Sequence, residues 1–390
     1  MDKPFPRLGV GAVAFLLLSS SLLPACRRPA PPRSSRTAFF EPGVSPDGFF
    51  PRTFKPEAAG ISRAALEALV AEAAACHSHA LIVIKDGRTV AERYFDHPRR
   101  PLRLNSVTKS IVSLAIGMLV KEGRIAGIDT PLSEWFPQWE KGAKARITLR
   151  NVLTHTSGLY HEQSGSNLRR QRDVVKYALG LPIVDEPGRK FTYSNEAIAL
   201  LPGIVSAAAG RPLDAFLQDR LFGPMGISSY DWDRDQAGHV LAYSGLRMLP
   251  RDLARIGQLM LDSGRWKERQ LIPASWVRAS TSPARDDITR CGLLWWLYRS
   301  PGSQARTALA SQESSRGSPA GPPVGFGGEG WLGQYVTVYP RWRLVAVRLR
   351  TRESEDDNDR QYDFKSFPQL VLALVTDKQP GPSGSRIDVP

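Results

Sequence analysis

The chain has 390 residues, 42% of them hydrophobic and 23% charged, which excludes a disordered or fibrous polypeptide and allows one large domain or two interlocked subdomains. With 52 lysines and arginines against 38 acids the net charge is +14, but the arginines are scattered. No basic helix, zinc spacing or RNA-binding signature accompanies them, which argues against a nucleic-acid partner and leaves a plain basic surface with a mild affinity for anionic lipid or cell-wall polymer.

Residues 1–26 read as a signal peptide: Lys3 and Arg7, then the apolar LGVGAVAFLLLSSSLL, then LPAC ending at Cys26. The ending resembles a bacterial lipobox. That resemblance implies lipid attachment at Cys26, a membrane-surface contact through the lipid, and an exported protein of the bacterial envelope or periplasm. Residues 27–50 open with RRPAPPRSSR after Cys26 and read as a flexible tether. Only Cys76 and Cys291 then remain. An oxidising compartment would allow them to pair, but spacing alone cannot place them within bonding distance. The stretch CHSHA (Cys76, His77, His79) invites a metal reading, yet it runs straight into a strand and no second cluster supports it. No metal or cofactor is expected.

From 80 to 95, ALIVIKDGRTVAERYF is a hairpin with Asp86-Gly87 at its turn. A helix follows over about 106–122, stopped by Gly123. Helical pieces then dominate: LRNVLTHT, QRDVVKYALG, NEAIALLPGIVSAAAG, PLDAFLQDRLFGPMG, PRDLARIGQLMLDSG and PASWVRAST. Strand patterns return at CGLLWWLY (291–298), GQYVTVYP (333–340) and RLVAVRLRT (343–351), and FPQLVLALVTD (367–377) closes as a helix. Strands at both ends and helices between them predict an α+β fold. Its antiparallel sheet, flanked by helices, is built from 51–105 and 290–377, with an all-helical subdomain, 106–289, inserted; together these form one domain over 51–377. Residues 300–323 read as a flexible insertion, ESEDDND (353–359) as a solvated loop and 378–390 as a loose tail.

Three stretches carry chemistry. Ser106 and Lys109 stand three apart at the start of a helix and share a face. A serine hydroxyl needs a base within reach, and a lysine in a dry site loses basicity until it can take the proton. A capping serine with a snorkelling lysine would look the same. In EPGRKFTYSNEAIAL (186–200), Tyr193 beside an ammonium can act as a phenolate base, and Asn195 can hold the lysine or a substrate amide. A core tyrosine with an Asn195 cap is the plain alternative. In GFGGEGWLGQYVTVYP (325–340), glycines before a strand allow close backbone approach, and an N–H there can complete an oxyanion hole. A glycine-rich hairpin loop is the plain alternative.

Together the three have the order and spacing of serine β-lactamases and penicillin-binding proteins. The Tyr-x-Asn form is similar to the class C branch, and CGLLWWLY and GEGWLGQ look most like its esterase and 6-aminohexanoate-dimer hydrolase subgroup. The resemblance runs over about 55–375. It implies Ser106 as acylated nucleophile, Lys109 as its proton partner, Tyr193 as the general base that also protonates the leaving group, and Asn195 as positioning amide. It implies an oxyanion hole from the backbone N–H groups of Ser106 and Trp331. Where the family usually carries Lys-Thr-Gly or a histidine version, this chain reads Gly328-Glu329-Gly330. An acid there repels a substrate carboxylate and attracts an amine. The expected function is therefore hydrolysis of a small-molecule ester or amide, or a peptide-like substrate. A β-lactamase or D-Ala-type cell-wall peptidase remains an alternative, as does a catalytically silent envelope binding protein on the same fold.

Overall fold

The computed structural model describes residues 39, 50–53, 55–95, 97–162, 166–299, 322–352 and 362–375. The signal peptide with Cys26, nearly all of the tether and the insertion, the acidic run and the tail lie outside them.

Ser62 accepts the Ala65 amide and starts helix α1, Arg63–Ala75, which buries Leu66, Leu69, Val70 and Ala73. Strands β1, Ala80–Lys85, and β2, Arg88–Arg93, form the expected hairpin. Its turn residues Asp86 and Gly87 both take left-handed φ, 51° and 68°. Strand β3 is Leu102–Arg103, and helix α2, Val107–Lys121, ends at Gly123 with φ 69°. The middle of the chain holds α3 (Leu149–Leu153), α4 (Ser166–Arg169), α5 (Val174–Gly180), α6 (Asn195–Ile198), α7 (Leu201–Ala209) and α8 (Leu213–Leu217). Strands β4, Tyr230–Trp232, and β5, Leu246–Met248, come before α9, Pro250–Leu261. The short β6 and β7, at 265–266 and 269–270, precede α10, Ala274–Ser280. The chain closes with β8 (Trp296–Tyr298), β9 (Gly325–Gly330), β10 (Gln334–Tyr339), β11 (Leu344–Leu349) and α11 (Phe367–Leu372).

The main sheet runs β2-β1-β11-β10-β9-β8. The two chain ends meet in it as expected, β1 lying antiparallel to β11 with Ile82 opposite Val347. Every residue of β10 and β11 is buried. Both faces of the sheet are covered, which is why its strands read as apolar runs rather than as alternation. One apolar cluster joins α2, α9 and the helical middle to one face, and a second joins α1 and α11 to the other.

Four expectations need correction. The middle segment is not all helical, because β5 pairs with both β3 and β4 in a small sheet; segments of two or three residues are too short for alternation to register. In CGLLWWLY only Trp296–Tyr298 is strand, since Leu294 takes φ 64° and breaks the extension. The glycines of 325–330 are not a loop before a strand; they are β9 itself. In the tether segment, Phe39 and Phe50 are buried against the domain, so burial begins upstream of residue 51.

Helix α9 lies close to the sheet through Gly257, where a Cβ would stand 2.6 Å from Val345 Cγ1 and 3.0 Å from Val336 Cγ2. Gly257→Ala is expected to destabilise the protein by about 1–3 kcal/mol, because overpacking against stiff valines outweighs the helix-propensity gain of alanine. Urea denaturation reads this as a lower midpoint with an unchanged slope.

Candidate active site

Asn105 takes φ 47°, a left-handed conformation that asparagine tolerates better than most residues, and delivers the chain into α2. Ser106 occupies the N-cap, but its side chain makes no cap hydrogen bond. The capping alternative therefore fails, and the hydroxyl is left for another partner. That partner is Lys109, whose Nζ donates to Ser106 Oγ at 2.9 Å and to the Tyr243 carbonyl at 2.7 Å.

Lys109 is only 2% exposed, so the snorkelling alternative fails too. Burial pushes its pKa well below the usual lysine range, aided by Arg169 and opposed by Glu196. Glu196 is a buried carboxylate already engaged elsewhere: it accepts the Glu162 amide at 3.0 Å and the Ser194 hydroxyl at 3.3 Å.

Tyr193 comes in just ahead of α6, and Lys109 Nζ lies 4.9 Å from its ring centre. The ring stacks on Trp296 at 6.1 Å and leans on His155 at 4.5 Å. Burial raises the phenol pKa, opposed by a hydrogen bond with Ser106. Burial thus drives both partners toward their neutral forms, a free amine beside a phenol, rather than the ammonium–phenolate pair expected from residue types.

His155 holds the Tyr193 segment from both sides. Its Nδ1 accepts the Ser194 amide at 3.3 Å, and its carbonyl accepts the Thr192 amide at 2.7 Å. Burial, with Lys109 nearby, pushes the imidazole down to about 3, so it stays neutral and keeps its acceptor nitrogen. Ser194, not Asn195, caps α6, accepting the Ala197 amide at 3.0 Å. Asn195 is the first helical residue, and its Oδ1 is buried with no hydrogen-bond partner among the described residues. It does not line the cavity over Ser106.

The third stretch approaches the serine through its backbone. A Cβ on Gly330 would stand 2.6 Å from the Leu104 carbonyl and 3.0 Å from the Ser106 nitrogen. The glycine admits the start of α2, not a ligand. Beyond it, the Trp331 carbonyl accepts Asn105 Nδ2 at 2.8 Å, while the indole is 50% exposed. The Ser106 N–H has no backbone acceptor among the described residues. Arg348, fully buried, braces the turn after β9: its guanidinium donates to the Leu332 and Gly333 carbonyls on one side and to Ser78 Oγ and the Cys76 carbonyl on the other. Its burial between strands is invisible in RLVAVRLRT, which shows only a charge in a strand.

Strand alternation points Gly328 and Gly330 toward α2 and Glu329 toward the opposite face, where it pairs across the strands with Tyr335. A cavity of about 450 Å³ wraps around this edge and includes both Ser106 and Glu329. Burial pushes the Glu329 carboxyl up to about 7, with the Tyr298 hydroxyl and Arg290 opposing the rise.

Cys291 is a free, buried thiol, so the pair with Cys76 does not form. It lines a small void beside Ser106 and Lys109, and burial pushes its thiol up to about 12, leaving it inert. Among the described residues the group with metal-ligand spacing is Asp173, Asp235 and His239, not the CHSHA stretch. Those aspartates already accept the backbone amides of Lys176, Val174 and His239. The arrangement around Ser106 is a hydroxyl with a buried amine on one side, a phenol on the other and a backbone N–H with no backbone acceptor among the described residues, the parts required for acyl transfer.

A family model described as Beta-lactamase matches residues 66–366. The Burkholderia gladioli esterase EstB is 31% identical over 182 residues, 41% of this chain and 46% of its own, so the chain spans under half of that esterase. The Escherichia coli D-alanyl-D-alanine-carboxypeptidase/endopeptidase AmpH is 29% identical over 318 residues, 71% of this chain and 76% of its own. A Bacillus anthracis structure described as a 6-aminohexanoate-dimer hydrolase superposes with TM-score 0.64 at 18% identity, covering 83% of this chain and 87% of that one.

Proposed function

The chain belongs to the beta-lactamase family, and from that membership we propose that it is a serine hydrolase cleaving an ester or amide bond through an acyl-enzyme on Ser106. One observation carries the reading: a buried amine, depressed in basicity, donates a 2.9 Å hydrogen bond to the Ser106 hydroxyl. As Oγ attacks the substrate carbonyl, its proton passes to Lys109. The carbonyl oxygen gathers negative charge and takes hydrogen bonds from the Ser106 and Trp331 N–H groups. When the tetrahedral intermediate collapses, Tyr193 gives its proton to the departing oxygen or nitrogen and is reprotonated from Lys109. Water then attacks the acyl-enzyme along the reverse proton route.

An ester or amide substrate is favoured over a penicillin. Gly328 puts no cation at the position where relatives hold a substrate carboxylate, and Glu329 adds an acid beside it. The relatives support the chemistry, one being named an esterase and another a peptidase of D-alanyl ends. Residues 1–26 support export, with lipid attachment at Cys26 and a site of action at the envelope.

The test is a hydrolysis panel on purified protein: p-nitrophenyl esters of rising chain length beside nitrocefin, D-alanyl peptides and a linear amide dimer. Esters or the amide dimer are expected to turn over fastest, and Tyr193→Phe to lower kcat by about 10²–10⁴-fold, the range of one general acid–base group. Nitrocefin hydrolysed far faster than every ester would replace the substrate assignment.

A further inference from the structure

We propose that Asn105 is a positioning residue for the oxyanion hole: its side-chain amide ties the Trp331 backbone to the start of α2 and so fixes the two N–H donors relative to each other. This rests on the serine-hydrolase reading above and names what holds that same site in working shape.

The two donors come from distant parts of the chain. The Ser106 N–H belongs to the entry of α2, and the Trp331 N–H to the three-residue turn, 331–333, that joins β9 to β10. Like the Ser106 N–H, that of Trp331 makes no turn or loop bond to a backbone acceptor among the described residues. An oxyanion gains fully from both only when they converge on one spot about 2.7–3.1 Å away. The Trp331 indole is half exposed and cannot fix its own backbone. Neighbouring groups do so from both sides. On the N-terminal side, Gly330 packs against the Leu104 carbonyl and the Ser106 nitrogen. On the C-terminal side, Asn105 Nδ2 donates to the Trp331 carbonyl at 2.8 Å.

The rest of the turn is held in the same way. Arg348 Nη1 donates to the next two carbonyls, those of Leu332 and Gly333. Three successive carbonyls thus each accept a side-chain N–H. The turn needs that support, because Leu332 takes φ 69° in a region unfavourable for leucine. Arg348 ties the turn away from the serine, to Ser78 and Cys76. Asn105 ties it to the residue that immediately follows Asn105, the nucleophile itself. Asn105 does this at a local cost: it is 3% exposed, its φ is 47°, and its Oδ1 is buried with no hydrogen-bond partner among the described residues. Strain of this kind persists where the surroundings impose it, and it gathers at functional sites.

The test uses the full chain and two variants. Asn105→Gly keeps the positive φ without strain and deletes the amide. On the best p-nitrophenyl ester it is expected to lower kcat by about 10–10²-fold, part of the 10²–10³-fold that a whole oxyanion donor supplies, with KM within about twofold. Asn105→Asp keeps the shape and loses the donor, and should fall at least as far at pH 8. The second readout is calorimetric titration with phenylboronic acid. Its boron bonds Ser106 Oγ, the Oγ proton passes to Lys109, and one boron-bound hydroxyl sits where the oxyanion would. Boronate affinity should fall in both variants in step with kcat, as for any mimic of the transition state. Unchanged kcat, a loss confined to KM, or wild-type boronate affinity beside a reduced kcat overturns the assignment. So does loss of the fold in both variants, read by urea denaturation, since Asn105 would then be structural. If the wild type hydrolyses no ester, the hydrolase reading falls and the titration still decides the role of Asn105: weaker boronate binding in the variants supports it, and equal or absent binding overturns it.

Discussion

Ser106→Ala is expected to lower kcat by about 10⁴-fold or more on whichever ester or amide the protein turns over best, the scale of losing a serine nucleophile. The same variant should no longer take up a fluorophosphonate probe, read as a missing mass increment on the intact chain. Stability should move by no more than about 0.5 kcal/mol, as for a substitution that breaks no packing or cap. The Ser106 side chain makes no cap hydrogen bond, and Lys109 keeps its bond to the Tyr243 carbonyl when the hydroxyl is gone. Loss of activity with retained stability separates a nucleophile from a structural serine. Turnover surviving in Ser106→Ala would move the chemistry to another residue, and a catalytically silent binding protein would show neither turnover nor labelling in the wild type.

Lys109→Met should lower kcat by about 10²–10⁴-fold, the contribution of a positioned base. Methionine matches the length and apolar stem of lysine, so the buried space stays filled. The substitution leaves the Tyr243 carbonyl without its donor, a penalty of about 1–3 kcal/mol for a buried acceptor. It also removes a group that resists protonation in the folded state. The sign follows from proton counting. With its folded pKa lowered, Lys109 binds fewer protons when folded than when unfolded at any pH between the lowered value and the unfolded value of about 10.4. Wild-type stability therefore rises with pH across that window and is weakest toward acid. The methionine variant loses this slope, so it compares best with wild type at low pH and worst at high pH. Urea denaturation at pH 6 and pH 9 reads the difference. Wild-type turnover should also fall toward acid as Lys109 takes up a proton and ceases to be a base. A variant that kept its kcat, or a wild type whose slope matched the variant's, would show that this amine is not held neutral.

Much of the arrangement was legible in the chain. The hairpin at 80–95, the apolar helix carrying Ser106 and Lys109, and the return of strands near the end all follow from periodicity and turn residues, because local pattern governs local structure. The spacing of Ser106 and Lys109 predicted a shared helical face, and the 2.9 Å bond between them bears that out. Other parts left no mark in the pattern. The Tyr243 carbonyl that anchors Lys109 is a backbone atom, and every residue type offers one. The carbonyl and ring of His155, which fix the Tyr193 segment, act through a left-handed backbone turn that histidine does not advertise. The glycines of the third stretch read as allowing close backbone approach, and at Gly330 the segment that comes close is the start of α2.

Residue identity and spacing offered Ser106, Lys109 and Tyr193 as candidates for acyl transfer and placed an acid, Glu329, between the glycines of the third stretch. Tertiary structure alone decided their protonation. Lys109 lies deep between α2 and the segment at Tyr243, and Tyr193 lies between Trp296 and His155. Removing a charge from water is unfavourable wherever no counter-charge is bonded to it, and nothing in a linear order of residues measures how much water is left.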